Sequence, residues 1–66
     1  MNVVVNDKDT ALAEGATVLD LVDGLDLKGQ PVAVELNRDV VPRTLHGTTV
    51  LKDGDRVEVV TLVGGG

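Results

Sequence analysis

The chain has 66 residues, six basic and eleven acidic side chains for a net charge of −5, no cysteine, and no Phe, Tyr or Trp. A domain of this size buries only about 60% of the surface its unfolded chain exposes, so the core is small and is built from Val, Leu and Ala. The charge has the wrong sign for a nucleic-acid backbone or an anionic membrane, no ring offers a stacking platform for bases, and without a thiol there are no disulfides, zinc-thiolate sites or redox chemistry.

Val3-Val4-Val5 is a β-branched run closed by the turn-forming cluster Asn6-Asp7-Lys8-Asp9 and followed by Thr10-Ala11-Leu12-Ala13, which predicts an opening hairpin. Thr17 is a good N-cap, with Asp20 three residues later, close to a capping box, so a helix is expected to begin at Val18. Val18, Leu21, Val22 and Leu25 then form one apolar stripe at helical spacing, with Asp20, Asp23 and Asp26 on a solvated side. The helix should end near Leu25, where Gly24 weakens it and Gly29 with Pro31 supplies the exit.

Val32-Ala33-Val34-Glu35-Leu36 reads as a strand, and Asn37-Arg38-Asp39 turns it into a short edge strand, Val40-Val41, cut off by Pro42. Arg43 to Leu51 lacks a clear period and is expected as loop or one 3₁₀ turn, with Leu45, Val50 and Leu51 plugging one end of the core. Lys52-Asp53-Gly54-Asp55 is a turn signal, after which Arg56 to Val63 is the longest strand candidate. The order strand, strand, helix, strand, short strand, strand is that of an α+β β-grasp fold. It predicts a mixed sheet of four to five strands, the last one central, with one helix on one face.

Residues 1–63 form the domain in this reading, and 64–66 a flexible C-terminal glycine tail. Neither a signal peptide nor a run of roughly 20 apolar residues is present, which predicts a cytoplasmic protein.

Few side chains invite catalysis. His46 is a single histidine in an irregular stretch, without a convergent carboxylate, and reads as an ordinary surface or loop residue. The pairs Asp7/Asp9 and Asp53/Asp55 lack the ligand pattern of a calcium loop and fit turn chemistry, so no metal site is expected. The informative feature is the end of the chain, where a strand of branched residues meets Gly64-Gly65-Gly66. Three extended residues reach roughly 10 Å, and backbone without Cβ atoms enters a channel too narrow for any other residue.

Such a carboxylate is unreactive until activated, so the chemistry would belong to an ATP-using partner that makes an acyl-adenylate of Gly66. A glycine triplet alone also fits a frayed end or an expression remnant. The last strand adds context. Arg56, Glu58, Val60 and Leu62 share one face by period two and Val57, Val59, Thr61 and Val63 the other. If Val57 and Val59 face the core, Val60 and Leu62 form an apolar patch beside the tail, and the first set becomes a partner-binding surface.

Taken together, Val3-Val4-Val5-Asn6, Gly15-Ala16-Thr17-Val18, Val32 to Asn37, Val40-Val41-Pro42-Arg43, Asp53-Gly54-Asp55-Arg56-Val57-Glu58 and Gly65-Gly66 make nearly the whole chain resemble the thiamine-pathway sulfur carrier family called ThiS, a ubiquitin-like branch of the β-grasp proteins. The resemblance implies a carrier, not an enzyme, with no catalytic residue and no bound cofactor. Gly66 would be adenylated by an E1-like enzyme using ATP, and converted to a thiocarboxylate with sulfur from a donor such as a cysteine desulfurase. It would then deliver that sulfur to thiazole synthase. By the same resemblance Gly65 would be the companion glycine required for access, and Gly64 an extra one where a bulkier small residue often stands.

The stretch Thr44-Leu45-His46-Gly47 departs from the family, whose members often carry an aromatic there. Three alternatives remain open: a sister carrier on the same fold, such as the small subunit of molybdopterin synthase; a non-covalent docking module; and a small enzyme using His46.

Overall fold

In a computed structural model, which describes residues 1–27 and 29–62, the order of elements is β1 (Asn2–Val5), β2 (Lys8–Ala11), α1 (Val18–Gly24), β3 (Val32–Leu36), β4 (Asp39–Val41), a 3₁₀ turn (Arg43–Leu45) and β5 (Arg56–Thr61). The strands form one sheet in the order β2-β1-β5-β3-β4. β5 lies parallel to β1 and antiparallel to β3. This is the mixed β-grasp sheet expected from the sequence, with the last strand in the middle.

Both hairpins close through two-residue turns, and the turn chemistry explains why. Asn6 and Asp7 have φ of 49° and 68°, and Asn37 and Arg38 have 50° and 75°. Positive φ at both central residues matches the right-handed twist of the flanking strands, and after glycine Asn and Asp tolerate it best, which suits Asn6, Asp7 and Asn37 but not Arg38. The first turn is therefore tighter than the four-residue cluster read from the sequence. Val5 pairs directly with Lys8, and Lys8 and Asp9 belong to β2, which ends at Ala11.

The helix begins at Val18 with the capping box complete: the Asp20 N–H donates to Thr17 Oγ1 at 3.2 Å and the Thr17 N–H to Asp20 Oδ2 at 2.9 Å. It ends at Gly24 with Leu25 as its C-cap, and Gly29, at φ of 74°, lies in the exit turn, both as expected; the part played by Asp26 was not foreseen from the sequence. Asp26, with φ of 52°, takes the left-handed position after the C-cap residue Leu25, a place more usual for glycine. Of the predicted stripe, Val18 and Leu21 are buried, Val22 is half-buried and Leu25 sits at the exposed rim.

Val18 and Leu21 pack with Val3, Val5, Val34, Val41, Leu51, Val57 and Val59 into one core. Valine dominates because most of these positions lie on strands, where a β-branched side chain packs well on a pleated surface. Of the three residues assigned to plug the core's end, Leu51 is buried but Leu45 and Val50 are 48% and 52% exposed. Leu45 falls on the outer side of the 3₁₀ turn. Val50 alternates outward across the bridge between Thr17 and Val50, which points Leu51 inward. The buried polar residue there is His46, 6% exposed, not the surface residue expected. Its Nε2–H donates to the Val41 carbonyl at 3.1 Å, which satisfies a group that burial would otherwise penalise.

Candidate functional site

β5 is the element that leads to the glycines, and its neighbours fix its course. β1 stops pairing with it at Val5 and Val57, but Asn6 continues the ladder. The Asn6 N–H donates to the Val57 carbonyl at 2.9 Å, its Nδ2 to the Val59 carbonyl at 3.1 Å, and its Oδ1 accepts the Val59 N–H at 2.8 Å. An amide side chain carries one acceptor and a donor, so it completes the peptide group's pairing as a strand would.

On the other side Asn37 does likewise at the strand's start. Its N–H donates to the Arg56 carbonyl at 2.8 Å, its Oδ1 accepts the Arg56 N–H at 3.0 Å, and its Nδ2 donates to Asp55 Oδ1 at 3.1 Å. The Leu62 N–H still reaches the Pro31 carbonyl at 2.9 Å, one residue past the end of β5. The chain is thus held in line as far as Leu62. Val63 and the predicted working residues Gly64, Gly65 and Gly66 lie outside the described residues.

Helix and core occupy one face of the sheet and leave the other open. Val57 and Val59 point into the core, whereas Arg56 and Glu58 are exposed and Val60 and Leu62 are 57% and 50% exposed. These four stand along one line that passes from charged to apolar as it nears the glycines. Arg56 is partly committed, its Nη2 lying 3.0 Å from Asp7 Oδ1 in an exposed ion pair. Ala33, which pairs with Val60, widens the apolar end, and Val40 on β4, 71% exposed, stands opposite Glu35.

Pairing register, which a single sequence does not disclose, brings Glu35 directly opposite Glu58. Together with Asn37, Arg38 and Arg56 these two line a shallow groove of about 380 Å³ on the open face. Glu35, Val40, Asn6 and Asn37 went unrecognised in the sequence as parts of this surface. For Val40 and Glu35 the signal was strand alternation, and for the asparagines their place at the two hairpin turns.

Of the acidic pairs read as turn residues, Asp7 lies in the first hairpin turn and Asp53 and Asp55 at the turn before β5, but Asp9 lies on β2. Asp53 Oδ1 accepts the Asn2 N–H at 2.7 Å and Asp55 Oδ2 the Lys52 N–H at 2.8 Å. Among the described residues no group of three or more His, Asp or Glu side chains is placed to hold a metal ion. Among the described residues no helix is long and apolar enough to cross a membrane.

Comparison with known proteins converges on one description. The family model described as "ThiS family" matches residues 2–66. The sulfur carrier protein ThiS of Escherichia coli K12 is 30% identical over 66 residues, covering 100% of both chains. The crystal structure of a thiamine biosynthesis protein, ThiS, from Geobacter metallireducens superimposes with a TM-score of 0.83 at 39% identity over 100% of both chains. A thiazole synthase of Paramagnetospirillum magneticum is 33% identical over 66 residues, but the chain spans only 20% of that protein's length.

Proposed function

The chain belongs to the ThiS family, and on that premise we propose that it is a sulfur carrier of thiamine biosynthesis whose working group is the C-terminal carboxylate of Gly66. An E1-like partner activates that carboxylate: its oxygen attacks the α-phosphate of ATP, pyrophosphate leaves, and an acyl-adenylate forms. The outer sulfur of a persulfide carried by a donor such as a cysteine desulfurase then attacks the acyl carbon and displaces AMP. An external thiol attacks the donor's own sulfur in the resulting acyl disulfide, forming a mixed disulfide with the donor and releasing the carrier's sulfur. The product is a thiocarboxylate, which hands its sulfur to thiazole synthase.

The observation that carries this reading is the course of β5. A central strand, bonded on both sides, runs along an uncovered face and leads toward Gly64-Gly65-Gly66 with exposed Val60 and Leu62 beside its end. A partner that grips this face lies within reach of the glycines, and residues without Cβ atoms suit a narrow active-site channel. The thiazole synthase relative supports thiamine over molybdopterin as the destination of the sulfur.

The reading requires a chain that ends at Gly66. Intact-protein mass spectrometry after incubation with an E1-like adenylating enzyme, ATP and a sulfur source should show a gain equal to the exchange of one oxygen for sulfur. The gain should vanish in protein lacking Gly66. Absence of any adenylate or thiocarboxylate on the full chain would overturn the proposal.

A further inference from the structure

The ladder between β3 and β5 ends on a residue that can accept a hydrogen bond but not donate one. From Pro31 to Asn37 every second residue faces β5. The Asn37 N–H donates to the Arg56 carbonyl at 2.8 Å and the Leu62 N–H to the Pro31 carbonyl at 2.9 Å, in one register with the Ala33–Val60 and Glu35–Glu58 pairs. In an antiparallel ladder such facing residues exchange two bonds, one in each direction. Pro31 has no N–H to return, so the Leu62 carbonyl faces it without a donor.

Neither flank offers a substitute. On the β1 side, pairing stops at Val5 with Val57, and the Asn6 side chain extends it to Val59. Thr61, next in that alternation, points its peptide groups to the flank that β1 has already left. Before Pro31 the chain does not run on beside β5 as a strand: Gly29 has φ of 74°, and the Gln30 N–H turns back to the Leu27 carbonyl at 3.0 Å. The Leu62 N–H is therefore the last anchor of β5 among the described residues. Pro31 itself is exposed and lies outside the core cluster, so packing does not call for its ring.

We infer that Pro31 is a positioning residue for the proposed adenylation: its missing N–H sets Leu62 as the point at which the tail parts from the sheet. This deepens the sulfur-carrier reading and rests on it. One planar peptide unit joins the Leu62 carbonyl to the N–H of Val63. A donor at position 31 would tie that unit down and move the point of release one residue toward Gly66. The tail would then reach about 3.3 Å less far, and a partner drawing Gly66 into its channel would have to break the extra bond. Proline keeps the central strand anchored up to the tail and leaves the tail itself unpaired.

The test is Pro31→Ala, which restores an N–H at an exposed position, with Pro31→Val as a second variant whose side chain suits a strand. Amide exchange at residue 31 and thermal unfolding are measured beside steady-state adenylation of the chain by an E1-like enzyme with ATP. The expected result is a folded domain, a protected amide at residue 31, and a KM for the carrier roughly fivefold higher with kcat unchanged, the effect of one neutral hydrogen bond broken on capture. Inserting one glycine between Val63 and Gly64 of Pro31→Ala should return KM toward wild type, because it restores the reach without breaking the bond. A raised KM that the added glycine leaves unchanged would make Pro31 merely structural and overturn the inference. So would an amide at residue 31 that exchanges freely in both variants, or a protected one with KM unchanged; in each of these cases the carrier reading stands. If wild type is not adenylated at all, the inference falls together with that reading.

Discussion

Asn6 and Asn37 use side chains where a longer sheet would use backbone. Each occupies the first position of a two-residue turn with φ near 50°, and each reaches back to β5. Asn6 carries more of the load, because the Val59 N–H and carbonyl would otherwise lie beyond the end of β1 with no partner on that side. Asn6→Ala removes both bonds and places alanine at a left-handed φ, so a loss of about 2–3 kcal/mol in urea unfolding is expected. Amide exchange at Val59 should accelerate more than at Val34, which lies in the centre of β3. An unchanged unfolding midpoint would show that water replaces the side chain without penalty. His46 illustrates the converse at this scale. Its identity suggested chemistry and its irregular neighbourhood suggested the surface, yet the bond to Val41 makes it a buried structural group.

Elements were legible in the sequence wherever local chemistry alone decides them. Thr17 with Asp20 fixes the start of α1, and the Asp53-Gly54 turn, with Gly54 at φ of 88°, fixes the start of β5. The start of β2 was not legible, since Lys8 and Asp9 are poor strand formers on propensity and enter the strand only because a tight turn and the β1 ladder carry them in. The exposure of Leu45 and Val50 was likewise hidden, because it depends on how a loop crosses the core and not on any period. α1 has seven residues, too few to be stable on propensity alone, so it depends on its cap and on the packing of Val18 and Leu21. Thr17→Ala should therefore lower stability by about 1 kcal/mol, and Thr17→Ser should recover most of it, both read from denaturant midpoints. Equal stability of the alanine variant would place the helix's support wholly in the core.

At the scale of the molecule, the β-grasp order puts the last strand in the centre of the sheet, so the segment leading to the glycines is also among the best-anchored. That gives the fold and the proposed chemistry separate addresses. Period two disclosed Val60 and Leu62 as neighbours of the glycines, but the cross-strand pairing of Glu35 with Glu58 depends on register between distant segments and emerges only once the chain is folded. The core cluster, the helix cap and the ladders on both sides of β5 all lie within residues 1–62. Deleting Gly65 and Gly66 should consequently leave the unfolding midpoint and the far-ultraviolet circular dichroism unchanged while abolishing the sulfur-for-oxygen mass gain. Binding to the adenylating enzyme should persist in weakened form, because the open face with Val60 and Leu62 remains. A deletion that unfolded the chain would mean the glycines contribute to the domain. A deletion that still acquired sulfur would move the working group away from Gly66 and leave the glycines without the role that their lack of side chains suggests.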